Sequence, residues 1–407
     1  MASGSPAVPD APYGVPLGSV GMSTGDPRWS TAGNVTSRPT VRRVLLYGVV
    51  VALFLLCWAV LGRVFSTGFG LQTTVLAALF AAIPLLVVIP TYLWIDRYEA
   101  EPNRYLAFAF LWGALCATVG ALFLNTFFSI ALVLLGEGQE QADLLGATVS
   151  APIVEEGLKG LGILLIVLVR RRQFDGIVDG IVYAGMVGAG FAFTENILYL
   201  GRMYAEYGTQ GLTALFLLRC VMGPFAHPLF TSMTGIGLGV AVSLVRTRGT
   251  KVLAGLAGYL AAVGLHALWN LSASTGNLLG LYVLVQVPIF LGYVATLVWA
   301  RTREGRQIRL YLSQYADAGW LGHQEVAMLG SLPARRNART WARATGGAPA
   351  LASMKAFQDA ASDLALLRSR IVRGVAEPQA QTRERELLDS LVAHRAAFTG
   401  TAAFARR

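Results

Sequence analysis

From Val44 to Ala300 the sequence is almost continuously apolar, and it falls into eight runs each long enough to cross a bilayer. A helix spanning the hydrocarbon needs about 20 mainly apolar residues at a rise of 1.5 Å each. The runs are Val44–Phe65, Leu71–Ile95, Tyr105–Leu135, Leu144–Val169, Ile177–Leu200, roughly Phe216–Val245, Val252–Leu271 and Leu278–Ala300. The expected fold is therefore an all-α polytopic membrane bundle of about eight transmembrane helices. Pro224 and Pro228 interrupt the sixth run, so its first turns are expected to form a separate surface or re-entrant piece.

Composition agrees, with 55% hydrophobic and only 14% charged residues, against about 25% charged in soluble domains. The net charge of +10 does not point to nucleic acid, because the basic residues gather at the ends of the apolar runs. Arg42 and Arg43, "RRRQFD" (Arg170–Asp175), "RTRGTK" (Arg246–Lys251) and "RTREGRQIR" (Arg301–Arg309) fall on one side of an eight-span layout. The opposite loops, "GEGQEQAD" (Gly136–Asp143) and "SASTGN" (Ser272–Asn277), are acidic or neutral. The positive-inside rule then puts both termini in the cytoplasm. Residues 1–40, rich in Pro, Gly, Ser and Thr, read as a disordered tail, and 41–300 as the membrane domain. Residues 301–407 read as a basic cytoplasmic region with amphipathic helices, whose "LPARRNARTWARATGG" is suited to anionic lipid headgroups. Cys57, Cys116 and Cys220 sit in apolar runs without zinc-type spacing and are expected as free, buried thiols.

Polar and ionisable groups within the spans are few and concentrated. The fourth run holds Glu155, Glu156 and Lys159; the fifth Asp179, Glu195 and Asn196; the sixth His227; the seventh His266, Trp269 and Asn270. A charge at the bilayer centre costs roughly 2.5–3.5 kcal/mol on insertion scales, so such residues face a wet interior and mark function. By helical rise, Glu155 and Glu156 lie about 17 Å from the outer end of their span, and Glu195 and His266 about 8 Å from theirs. Carboxylates and imidazoles are thus expected to converge in the outer half to middle of the membrane.

Glu155 and Glu156 are adjacent, about 100° apart around the helix, and are not expected to face one point. Lys159 is within reach of either. One glutamate is expected to pair with it structurally; the other, buried beside a like charge, is a candidate general base acting on water. The residues themselves do not decide which is which. The two histidines suit either Zn²⁺ ligation or stabilisation of an oxyanion. His266 and Asn270 share a face. A proton or ion path, and a non-catalytic scaffold, are the competing uses of such a cavity. No internal repeat of spans supports transport, and the polar set occupies one layer instead of crossing the bilayer.

Four short motifs follow in order on consecutive spans: "EEGLK" (Glu155–Lys159), "FAFTEN" (Phe191–Asn196), a histidine at His227, and "HALWN" (His266–Asn270). With "DRYEAEP" (Asp96–Pro102), the pattern resembles the PrsW family of intramembrane proteases, related to the CAAX prenyl endopeptidase and bacteriocin-processing superfamily. The resemblance covers about residues 75–300. Val154 stands where that family often has a third acidic residue. The resemblance implies a metalloprotease of the bacterial plasma membrane acting on single-span or membrane-associated proteins, such as an anti-sigma factor. It implies Glu155 or Glu156 as base, His227 and His266 as Zn²⁺ ligands with Glu195 a further ligand or an orienting group, and Asn270 as an oxyanion donor. Lys159 and Asn196 are supporting residues.

Overall fold

The computed structural model describes residues 41–170, 174–275 and 277–399, with only the backbone described for Arg42 and Arg43. The 1–40 tail, with the disorder expected of it, lies outside these residues. Among the described residues all regular structure is helical. The membrane-facing part comprises α1 (Val41–Gly68), α2 (Gly70–Ala82), α3 (Leu85–Ile95), α4 (Asn103–Leu111), α5 (Thr118–Leu134), α6 (Gln139–Leu145), α7 (Ala151–Val169), α8 (Ile177–Phe216), α9 (Ala226–Ser243), α10 (Arg248–Ser274), α11 (Leu278–Leu281) and α12 (Val287–Asp317). Then follow α13 (His323–Leu329), α14 (Leu332–Arg373) and α15 (Ala380–Thr399).

Six helical stretches among the described residues are long and apolar enough to cross a membrane: 44–68, 70–95, 103–134, 177–243, 248–274 and 278–317. The 177–243 stretch doubles back on itself at Gly208, whose φ of 62° and ψ of −149° suit glycine. The returning arm passes through a wide π-helical turn at Leu217–Met222 and breaks at Gly223–Phe225 before α9 begins. The interruption expected near Pro224 is therefore present. α7 has the length of a span but carries Glu155, Glu156 and Lys159 within 19 residues.

α8 is the axis of the bundle, buried without interruption from Ile177 to Phe191. α9 lies against it through glycines, with Gly180 meeting Gly235 and Gly188 meeting Pro228. Small residues let helix backbones approach closely where lipid offers no hydrophobic gain for association. By contrast α1 presents Leu45, Leu55 and Trp58 outward, as a lipid-facing helix does. The cysteines are free, as expected; Cys57 and Cys220 are buried, whereas Cys116 is half-buried with its Sγ 4.0 Å from that of Cys57.

α12 runs through Arg301 without a break, and the helices beyond it close a second core around Leu312, Tyr315, Phe357 and Leu364. This layer is bound to the loops at one end of the bundle. Arg335 Nη1 donates to the Tyr98 carbonyl at 2.9 Å, and Ser362 Oγ donates to the same oxygen at 2.8 Å. Arg370 pairs with Asp175 at 3.4 Å, and Arg246 Nε donates to the Arg373 carbonyl at 2.7 Å.

Carboxyl groups of those loops are enclosed. Burial pushes Asp96 up to about 8 and Glu101 up to about 9, and pushes Asp175 up to about 8 against the pull of Arg370. A carboxyl with a raised folded-state pKa supports the fold fully below its unfolded pKa of about 4, and that support is lost as pH rises through the folded value. The melting temperature of the purified protein should fall steadily from pH 5 to about pH 9 and then level off. Asp175→Asn should flatten the slope. A melting temperature that climbs over this range would contradict the burial of these acids.

Candidate active site

Lys159 is the centre of the polar group on α7. Its ammonium is fully buried and donates to Glu156 Oε1 at 2.8 Å and to His227 Nδ1 at 3.0 Å; Glu155 Oε2 is 3.5 Å away. It also lies over the Phe191 ring, 3.8 Å from the centroid. Both glutamates reach it because their side chains are long enough to bridge the angular gap between neighbouring positions. The expectation that they cannot face one point is corrected accordingly.

The two carboxylates are held differently. Glu156 Oε1 takes the Lys159 bond and one from His266 Nδ1 at 3.1 Å, while Oε2 accepts from Thr231 Oγ1 at 2.9 Å. Glu155 has only long contacts: Asn125 Nδ2 at 3.4 Å, Lys159 at 3.5 Å and His266 Nε2 at 3.8 Å. Asn125 is itself held by Ser150 Oγ at 3.1 Å.

His227 enters from the first turn of α9, directly after the Gly223–Phe225 break. Its Nε2 lies 2.7 Å from Glu195 Oε2, and Glu195 is paired with Arg219 from the returning arm. Arg219 Nε donates to Asn196 Oδ1 at 2.9 Å, and its guanidinium covers the Tyr199 ring. The partners fix both imidazoles. A nitrogen bonded to a carboxylate carries the proton, so His266 is protonated on Nδ1 and His227 on Nε2. Their lone pairs, on His266 Nε2 and His227 Nδ1, turn toward Glu155 and Lys159. The rings stand edge to face at 5.1 Å, with Phe230 stacked on His266 at 5.2 Å.

Ligand atoms of Glu155, His227 and His266 all lie within 4.8 Å of one another. Two imidazoles and a carboxylate are a catalytic zinc donor set, and ligand atoms 2.0–2.1 Å from a tetrahedral ion stand roughly 3.4 Å apart. The donors fit a metal in kind, each histidine backed by a carboxylate on its other nitrogen. Lys159 shares the same acceptors, so holding an ion requires its ammonium to swing aside.

Of the residues singled out from sequence, Glu155, Glu156, Lys159, Glu195, Asn196, His227 and His266 form one connected network. Glu195 backs His227 and stands outside the three-ligand group. Asn270 Nδ2 instead donates to the Ala147 carbonyl at 2.8 Å, in the π-helical turn Gly146–Ser150 that precedes α7. Sequence reading missed Arg219, Thr231 and Asn125. Arg219 carried a usable signal, since an arginine among "LLRCVM" is itself an intramembrane charge. A threonine or asparagine inside an apolar helix carries no comparable signal.

The helices that build this network coincide with a recognised family. A model described as PrsW family intramembrane metalloprotease matches residues 101–293. "Protease PrsW" of Geobacillus kaustophilus (strain HTA426) is 31% identical over 220 residues, covering 53% of this chain and 84% of that protein. The protein of the same name from Clostridioides difficile (strain 630) is 31% identical over 176 residues, 42% of this chain and 67% of its own length. That of Bacillus subtilis (strain 168) is 28% identical over 166 residues, 40% and 69% of the two chains. No solved structure matches. With its buried glutamate–histidine network inside the matched region, this integral membrane protein belongs to the PrsW family of intramembrane proteases.

Proposed function

We propose that the chain hydrolyses peptide bonds of single-span or membrane-associated proteins, with Glu155 as the general base. The observation that carries this reading is the contrast between the glutamates. Glu156 is tied by three bonds of 2.8–3.1 Å, whereas every contact of Glu155 is 3.4 Å or longer and its carboxylate faces the free Nε2 of His266. A base must be free to take a proton; a carboxylate saturated by donors is a poor one. Glu156 orients Lys159 and His266, and Glu195 orients His227. The Lys159 ammonium supplies positive charge toward the developing oxyanion. A metal held by the free ring nitrogens of His227 and His266, with Zn²⁺ the ion best matched to such donors, would lower the pKa of bound water toward about 7 and leave Glu155 to take its proton.

In this reading α7 spans the membrane despite its charges and the 177–243 stretch crosses twice, giving eight crossings with both termini in the cytoplasm of a bacterial cell. A membrane-anchored regulator such as an anti-sigma factor is then within reach of the site.

The test is cleavage by purified protein in vesicles carrying a panel of single-span proteins, with metal content measured in parallel. A chelator should suppress cleavage and Zn²⁺ should restore it. His227→Ala and His266→Ala should each lose the ion. Full-rate cleavage by chelator-stripped protein would remove the metal from the proposal, and ion flux without cleavage of any panel member would replace hydrolysis by transport.

A further inference from the structure

Where the bundle meets water is marked by arginines lying on exposed or half-buried aromatic rings. The Arg301 guanidinium is 3.6 Å from the Trp94 ring centroid and that of Arg303 is 5.4 Å from Trp299, while Arg104 and Arg170 flank Tyr105 at 4.9 and 4.4 Å. Tryptophan, tyrosine and arginine gather in this way at the headgroup level of a membrane. At the same level a cavity of about 400 Å³ opens between the loop after α3 and the first turns of α14.

Its lining is cationic and under-neutralised. Arg97 and Arg336 are exposed and have no hydrogen-bond or ion-pair partner among the described residues. Arg339 donates from Nε to Gln358 Oε1 at 2.6 Å and is also drawn to the Asp359 carboxylate. Both Arg97 and Arg336 stand close enough to Arg301 to repel it. Arg335, fully buried, is spent on Leu329, Tyr98 and Ser362. The carboxyls nearby do little to offset this charge. Burial pushes Asp96 up to about 8 and Glu101 up to about 9, so both are largely protonated at neutral pH, which leaves Asp359. With Asp359 set against Arg339 and Arg335, Arg97 and Arg336 still lack an anion. The recess also has an apolar exit: Leu93, 42% exposed on the outer face of α3, leads from it toward the hydrocarbon.

We propose that this cavity binds the phosphate headgroup of an anionic phospholipid, gripped by Arg97, Arg336 and Arg339, with an acyl chain descending past Leu93. Arginine matches phosphate by its planar array of donors. The lipid would join the loop after α3 to α14, and so bind the C-terminal layer to the membrane-embedded part.

Native mass spectrometry of the full chain, released from micelles doped with phosphatidylglycerol or phosphatidylcholine, tests the assignment. Phosphatidylglycerol should be retained at least tenfold better than phosphatidylcholine. Arg97→Gln/Arg336→Gln should weaken its retention about thirtyfold, the effect expected of two arginines at an anionic surface. Neither arginine has a protein partner, so the melting temperature in lipid-free detergent should not change. Arg383→Gln, an arginine outside the cavity, should bind like the parent protein. Undiminished phosphatidylglycerol binding by the double variant overturns the site. Displacement of the lipid by equimolar inorganic phosphate overturns the lipid as its occupant.

Discussion

Glu155→Gln should reduce the rate of peptide cleavage by a factor of about 10²–10⁴, the usual contribution of a positioned base, and leave the fold intact. Glu156→Gln should behave otherwise. Glu155 has no contact shorter than 3.4 Å to lose, and glutamine fills the same volume. Glu156 is the principal counter-charge for a fully buried ammonium and also fixes the proton on His266 Nδ1. Breaking a buried ion pair by neutralising one member costs about 3–5 kcal/mol, because the other charge is left uncompensated. An amide at position 156 also allows His266 to turn its other nitrogen inward. The expected pattern is a well-folded, inactive Glu155→Gln and a destabilised, poorly active Glu156→Gln. Single-turnover cleavage measured beside thermal unfolding separates the two. Equal loss of stability in both variants would mean that the glutamates share one structural role.

Most of the architecture could be read from chain order because hydrocarbon imposes a coarse rule. Runs of about 20 apolar residues become helices, and the few charges inside them stand out. That is why Glu155, Glu156, Glu195, His227 and His266 were visible, and why Pro224 announced a break. What escaped depends on contacts remote in sequence. The fifth span was expected to end at Leu200, yet α8 continues and turns back only at Gly208, which returns Arg219 to the level of Glu195. The division of labour between the glutamates depends on Thr231 from α9 and His266 from α10, 75 and 110 positions away. The docking of the C-terminal layer depends on bonds to the Tyr98 backbone carbonyl, an acceptor with no side-chain identity to read.

The contact between α8 and α9 leads to the second large effect, through a glycine that carries no chemistry. A Cβ at Gly188 would lie 2.7 Å from Pro228 Cα and N and 2.8 Å from the His227 carbonyl carbon, all backbone atoms that cannot step aside alone. Gly188→Ala should therefore push the first turn of α9 outward and carry His227 away from Glu195 and Lys159. Overpacking of this kind costs about 1–3 kcal/mol, while misplacing a catalytic group by about 1 Å can cost a hundredfold in rate. Gly180 and Gly235 make the same close approach two to three turns from the site, where a Cβ on either would lie 2.0 Å from the other's carbonyl oxygen. Gly180→Ala should thus lower the melting temperature at least as much while its residual folded fraction keeps more activity. Gly264 on α10, with nothing within 4 Å of an added Cβ, supplies the contrast. Gly264→Ala should be neutral or stabilise by up to about 1 kcal/mol through helix propensity. If Gly188→Ala and Gly180→Ala lose activity only in proportion to folded protein, the interface would be a structural seam alone. A deficit specific to Gly188→Ala would locate the histidine's placement in the close approach of two backbones.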